Sequence, residues 1–456
     1  MRCTSWAYAF AFAGSLFIGN AHAQSLKQPL SVRPAAFNYE HYLQDEVASP
    51  SDAAAAAGDS IVAEVAPADP DAAAEAPAAA AAPAAAAAIA SSGCNTCAPS
   101  CNTCAPSCNS CCCDPGLGEA FTLSSQLLCE DSPWTVGGWT QFGHHNKSNG
   151  LFNQHPTNVN LHQAWMYLEK TAAPTCGGLD WGFRADLMYG VDGADTQAFG
   201  NTGAGTATGP RGWDTGWNHG IYGWALPQLY GEIASEDWSL KLGHFYTLVG
   251  YEVVGAPDNF FYSHAFTMYN SEPFTHTGAL LTYTVSDDIE AYAGWTAGWD
   301  TGFDQFGDGS NYIGGASLTL TDDVTMTYIS TIGNFGARGR NGYMSSVVVD
   351  VNLTDDLNYV FQTDMLRVGQ TGEDNVGINQ YLIYNVNDYL GVGTRLEWWK
   401  TDDLGALGTH SFYEATFGVN VRPHANLTVR PEIRQEWSPA ANYDETIFGV
   451  DAIMTF

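Results

Sequence analysis

Eight of the chain's eleven cysteines crowd between Cys94 and Cys113. They run Cys-Asn-Thr-Cys-Ala-Pro-Ser from Cys94, repeat from Cys101, and decay from Cys108. Cys-x-x-Cys spacing suits zinc or a redox pair. No histidine, helix or strand pattern frames these cysteines as zinc sites require. Disulfides within or between chains are therefore the expected chemistry, and no metal is expected. Cys129 and Cys176 stand apart as candidates to bridge the start of the folded region to its first short turn. His144, His145, His155 and His162 gather near the first hairpin. Imidazoles that close can hold a transition metal, but loop histidines more often bind nothing specific, so none is assigned. No Ser-His-Asp spacing or nucleophile elbow appears. No catalytic residue and no cofactor is expected, and the chain is not read as an enzyme.

Charged side chains recur at alternate positions of apolar segments. Trp181, Phe183, Ala185, Leu187 and Tyr189 share one face, with Gly182, Arg184, Asp186 and Met188 on the other. Leu427, Val429, Pro431 and Ile433 oppose Thr428, Arg430, Glu432, Arg434 and Glu436. Tyr413, Ala415, Phe417, Val419 and Val421 oppose Glu414, Thr416, Gly418, Asn420 and Arg422. Lys241, Glu290, Asp350, Arg395 and Glu397 also fall on polar faces. Successive side chains of a strand point to opposite sides. An Arg or Lys facing lipid at mid-depth costs about 2–4 kcal/mol, so these faces must meet water or each other. The candidate pore-lining set is Arg184, Asp186, Lys241, Glu290, Arg395, Glu397, Glu414, Arg430, Glu432 and Arg434. Paired charges that merely hold neighbouring strands together are the plainer reading.

The elements that carry these residues are strands throughout. Sixteen candidates from Trp134 onward centre near Gly138, Trp165, Ala185, Leu229, Lys241, Leu281, Ala293, Ala316, Tyr328, Val349, Phe361, Leu382, Thr394, Thr416, Arg430 and Val450. Fourteen or eighteen strands are the alternatives. Each candidate is roughly 9–12 residues long, enough for a tilted strand to cross a bilayer. Short acidic turns alternate with longer loops: Ser235-Glu236-Asp237, Ser286-Asp287-Asp288, Thr321-Asp322-Asp323, Thr354-Asp355-Asp356 and Asn387-Asp388. Asp, Asn and Ser favour tight turns because they bond their own backbone. The last strand, Phe448 to Phe456, alternates apolar residues with Gly449, Asp451, Ile453 and Thr455. A closed barrel pairs its last strand with its first and leaves no edge. Phe456 is the expected assembly signal. Trp134, Trp181, Trp238, Trp299, Trp398, Trp399 and Trp437 lie near strand ends, where a membrane girdle would place them.

The loop from Thr247 to Thr275 is long and rich in aromatics: Tyr251, Phe260, Phe261, Tyr262, Phe266, Tyr269 and Phe274. An exposed loop this apolar is unusual. It is expected to fold into the barrel and constrict it, with Glu252, Asp258 and Glu272 as its charged residues.

Arg2, an apolar run from Trp6 to Ile18 and Ala21-His22-Ala23 read as a signal peptide over 1–23. No segment reaches ~18 consecutive apolar residues, so no transmembrane helix is expected. Residues 24–93 read as a disordered Ala/Pro-rich linker, 94–113 as a Cys-rich repeat and 134–456 as the barrel. The formal net charge is -33. Up to Pro133 there are 3 basic and 13 acidic residues, and the remainder, with 13 basic and 36 acidic, carries -23. Such acidity excludes a nucleic-acid partner, which needs Lys/Arg stripes.

Asn160-Leu161-His162-Gln163 leading to Tyr167-Leu168-Glu169-Lys170, then Gly182 through Asp186 to Tyr189-Gly190, resemble the OmpL-like beta-barrel porins of the porin-2 group. Gly250-Tyr251-Glu252, Asn259-Phe260, Ser263-His264 and Pro273 through Gly278 resemble that family's long third loop and its return. The similarity covers roughly Trp134 to Phe456. It implies a porin of the outer membrane, passing small hydrophilic solutes or ions, with outer-membrane lipid and the barrel assembly machinery as partners and a homotrimer by analogy. The rival from another class is a structural or adhesive envelope anchor whose Cys-rich tether cross-links to partners. The acidic excess favours cations, while inward Arg184, Lys241, Arg395, Arg430 and Arg434 favour anions, which leaves the sign of selectivity open.

Overall fold

The computed structural model describes residues 117–456, except 130–131, 176, 201–211, 403–408 and the side chain of Trp217. The signal, linker and Cys-rich readings, and Cys176, lie outside the described residues. Cys129 is exposed and has no disulfide partner among the described residues.

Sixteen strands among the described residues form one closed antiparallel barrel in which every strand pairs with its sequence neighbours. They are β1 (Thr135–His145), β2 (Asn160–Lys170), β3 (Asp180–Gly190), β4 (Gly223–Ala234), β5 (Trp238–Tyr246), β6 (Thr275–Ser286), β7 (Ile289–Thr296) and β8 (Ser310–Thr321). The second half is β9 (Val324–Asn334), β10 (Gly342–Asn352), β11 (Leu357–Val368), β12 (Glu373–Asn387), β13 (Leu390–Thr401), β14 (His410–His424), β15 (Leu427–Ser438) and β16 (Tyr443–Thr455). Each expected centre falls inside one of these strands. β1 and β16 close the ring with Trp139 opposite Thr455 and His145 opposite Gly449. Phe456 continues the ladder, its N–H donating to Gly138 O at 2.9 Å and its carbonyl accepting from Gly138 N at 3.0 Å.

Alternation sorts the wall. Phe142, Trp181, Leu187, Phe417, Ile433, Phe448 and Met454 are exposed on the outer surface, while Gln141, Asp186, Glu432 and Asp451 are buried inside. An apolar exterior over a polar interior suits strands with lipid on one side and a lumen on the other. Two of the girdle tryptophans go the other way. Trp399 and Trp299 are buried, at 0% and 2% exposure. Trp398 faces outward, so its neighbour Trp399 must face inward. There it stacks on Phe266 at 6.0 Å and donates from Nε1 to Ser271 Oγ at 2.9 Å. Trp299 lies in the loop after β7, packed against Phe335 at 5.1 Å with the Arg338 guanidinium 4.5 Å over its ring.

A short helix, α1 (Leu123–Leu127), precedes β1. Ser124 Oγ donates to Val136 O and accepts from Val136 N, both at 2.8 Å. Asn426, in the turn after β14, grips the same segment by accepting from Phe121 N at 2.7 Å and donating to Phe121 O at 2.8 Å. Both described ends of the chain therefore meet at the short-turn end of the barrel.

Candidate pore and its inner loop

The loop between β5 and β6, residues 247–274, packs against the inner faces of β11 to β16. It includes helix α2 (Phe266–Ser271). Its apolar side chains Val249, Val253, Val254, Phe261 and Phe266 are buried. Three arginines of the wall donate to its backbone carbonyls. Arg430 Nη1 reaches Ala256 O at 2.9 Å, Asn259 O at 2.7 Å and Phe261 O at 3.0 Å. Arg395 Nη1 reaches Ser263 O at 2.8 Å, and its Nη2 reaches Ser263 Oγ at 3.0 Å. Arg434 Nη1 reaches His264 O at 2.5 Å.

Wall glutamates meet the loop's amides. Glu432 accepts from Tyr262 N at 2.9 Å and Ser263 N at 3.1 Å. Glu397 accepts from Phe266 N, Thr267 N and Thr267 Oγ1, each at 2.6 Å. The N–H groups of Phe266 and Thr267 are first-turn amides of α2, which have no partner within the helix. The loop's irregular backbone is thus satisfied by charges of the wall, and a buried loop needs that.

The charges also neutralise one another. Arg395 pairs with Glu414 at 2.8 Å and with Glu252 of the loop at 2.6 Å. Arg430 pairs with Asp451 at 2.6 Å, and Arg434 with Glu436. Glu252 further accepts from Tyr381 Oη at 3.1 Å and from Ala265 N at 2.9 Å. Burial pushes the Glu252 carboxyl up, but the Arg395 guanidinium and His264 outweigh it and hold the group at about 2.

The ten expected lining residues therefore divide. Arg395, Glu397, Glu414, Arg430, Glu432 and Arg434 face inward but lie beneath the loop, none more than 5% exposed. Their neighbours are loop and wall atoms rather than open lumen. Arg184 forms a two-contact pair with Asp186, at 2.7 and 3.1 Å, reaches Glu169 at 3.1 Å, and stacks 4.5 Å over Tyr167. Lys241 Nζ sits 5.0 Å from the Tyr230 ring centre, and Glu290 accepts from Tyr292 Oη at 2.5 Å.

Of the loop acids, Glu252 joins the Arg395 cluster. Asp258 borders a cavity of about 410 Å³ at the short-turn end, lined also by Trp139, Tyr167, Arg184, Tyr246 and Phe121. Glu272 accepts from Gln362 Nε2 at 2.6 Å. Two of the four clustered histidines have structural roles. His162 bonds Asp192 at 2.7 Å and Tyr262 Oη at 2.7 Å, and His145 stacks on Tyr262 at 4.0 Å. Gln362 was not singled out from sequence, and Asp451, Ser263 and Tyr262 were named there without the polar contacts they make. Alternation placed Asp451 inward, and the β15–β16 register, which sets it opposite Arg430, was the missing step.

A closed sixteen-strand barrel with an apolar exterior and a long loop clamped inside by charge is the architecture of a channel-type transmembrane barrel. Residues 134–456 match the family described as "Putative beta-barrel porin-2, OmpL-like". The chain belongs to that family. Among solved structures it is similar to the outer membrane channel DcaP of Acinetobacter baumannii, at 11% identity over 71% of this chain and 97% of that one, TM-score 0.48. It is also similar to a mutant of the Rh. blastica porin, at 12% identity over 71% and 100%, TM-score 0.45. The trimer form of OmpT from Vibrio cholerae matches at 10% identity over 71% and 99%, TM-score 0.45. No match is found among curated proteins.

Proposed function

We propose that this protein is an outer-membrane porin that lets small hydrophilic solutes or ions diffuse passively through its barrel, with the 247–274 loop setting the width of the path. The observation that carries this reading is the loop clamped against the inner wall by Arg395, Arg430 and Arg434. A barrel serving only as an anchor would gain nothing from holding a loop inside at the cost of burying so many charges. Selectivity then depends on residues bordering the remaining lumen. Arg184 and Asp258 at the short-turn cavity are the first candidates. The six charges beneath the loop act on the pore by fixing the loop.

Planar-bilayer recording of the purified, heat-modifiable barrel tests this. Stepwise currents with a reproducible unit conductance are expected. A silent bilayer from intact barrels would support the anchor reading instead. Reversal potentials in a salt gradient, compared between wild type and Arg184→Ala, would show whether the short-turn cavity sets ion preference.

A further inference from the structure

We propose that Glu272 and Asp364, with side-chain oxygens of Ser346 and Asn379, bind a hard divalent cation of the Ca²⁺ class that ties the returning end of the inner loop to β10–β12. Every other buried acid of the clamp has an arginine or a set of amides. Glu252 and Glu414 have Arg395, Asp451 has Arg430, and Glu432 and Glu397 have loop N–H groups. Glu272 and Asp364 are 1% and 2% exposed. Neither has an ion-pair partner among the described residues. One amide serves both, since Gln362 Nε2 donates to Glu272 Oε1 at 2.6 Å and also to Asp364 Oδ2. The next charge facing Glu272 is another acid, Glu252, already engaged by Arg395.

Two buried carboxylates in contact repel each other unless something positive lies between them. Gln362 Oε1 is taken by Tyr251 N at 3.1 Å, but other polar atoms around the two acids are unsatisfied. Asp364 Oδ1 has no hydrogen-bond partner. Ser346, directly opposite Asp364 across β10–β11, is 2% exposed, and its hydroxyl, aimed at that carboxylate, has no other partner. Asn379, opposite Gln362 across β11–β12, is fully buried with both amide atoms unpaired. Unsatisfied buried groups gathered in one place call for an ion or ordered water to complete them. All the donors are oxygen, with two negative charges among them. That set matches Ca²⁺ or Mg²⁺ and not the nitrogen and sulfur preference of zinc.

The backbone at Gly250 is fitted to the Glu272 carboxylate. Gly250 has φ +86, and a Cβ there would lie 2.0 Å from Glu272 Oε2. Only glycine lets the carboxylate occupy that space. The site is independent of the porin reading, because its readouts are binding and barrel stability rather than conductance.

The test uses full-length protein in detergent, stripped with EDTA. Calorimetric titration with CaCl₂ should show a saturable site, and Ca²⁺ should raise the unfolding temperature. Asp364→Asn should lose both responses while still giving a heat-modifiable barrel. If that variant does not fold, Ser346→Ala with Tb³⁺ luminescence takes its place, and weakened Tb³⁺ binding is expected. Wild type that neither binds Ca²⁺ saturably nor gains stability from it overturns the proposal, and a proton shared by the two acids is then the account. Ca²⁺ binding that is unchanged in Asp364→Asn also overturns it, since the acidic surface would then be the binder.

Discussion

The two sides of the barrel hold their contents by different means. On the β13–β16 side the inner face carries Arg395, Glu397, Arg430, Glu432 and Arg434, which grip the loop by its backbone, and Glu414 and Glu436, which pair with Arg395 and Arg434. On the β6–β10 side the inner face carries uncharged residues, among them the apolar cluster Leu280, Tyr292, Ile313, Ile329 and Met344, packed with Val249, Trp299 and Phe335 from the loops. Hydrophobic burial is non-directional and tolerates sliding. Charge-assisted hydrogen bonds to specific carbonyls and amides fix a position. The apolar side therefore supplies bulk cohesion, and the charged side sets where the loop sits, which is the quantity a pore depends on.

Breaking the charged side should have the largest effect. Arg395→Ala strands Glu252 and Glu414 in a buried setting, and an uncompensated buried charge costs about 3–5 kcal/mol. A matching drop in the urea midpoint of the detergent-folded barrel is expected, together with noisier open-channel currents as the loop loosens. A loss under about 1 kcal/mol would mean that water reaches these charges and the clamp is weak.

Acid should act on the same side. The Glu252 carboxyl is held at about 2 against an ordinary value of 4.5. A lowered carboxyl stabilises the fold above the ordinary value, and that contribution is lost as pH falls from there toward about 2. Wild-type stability should decline through that window, and Arg395→Ala should lack that part of the decline. Equal slopes for the two proteins would remove Glu252 from the account.

The apolar side should respond less. Ile313→Val deletes one buried methyl and should cost about 0.5–1.5 kcal/mol with unit conductance unchanged. A changed conductance would show that this side also positions the loop. Smallest of all should be Lys147→Ala. Its pair with Glu445 sits at the surface, with Lys147 49% exposed, so a shift of less than about 1 kcal/mol is expected.

The period-two alternation made the wall legible in the sequence. Strand count, turn positions and the inward set around Arg430 all follow from residues one strand apart. Ring closure was legible because an apolar strand ending at Phe456 needs a partner. What those inward charges touch was not legible. Arg395 meets Glu252 from 143 positions away, through a loop whose path has no periodicity. Hydrophobicity showed that the 247–274 loop must be buried, and the carbonyl and amide contacts that place it leave no mark on residue type. Trp399 shows the same limit at the scale of one residue. Its type suits a membrane girdle, and only its parity with Trp398 turns it inward.

The central claim is that the clamped loop occupies the lumen and narrows it. Unit conductance of a barrel lacking Ala256 to His264, recorded beside wild type in the same salt, tests this most directly. The account predicts a clear increase for the deletion. A heat-modifiable deletion barrel with unaltered unit conductance would contradict it.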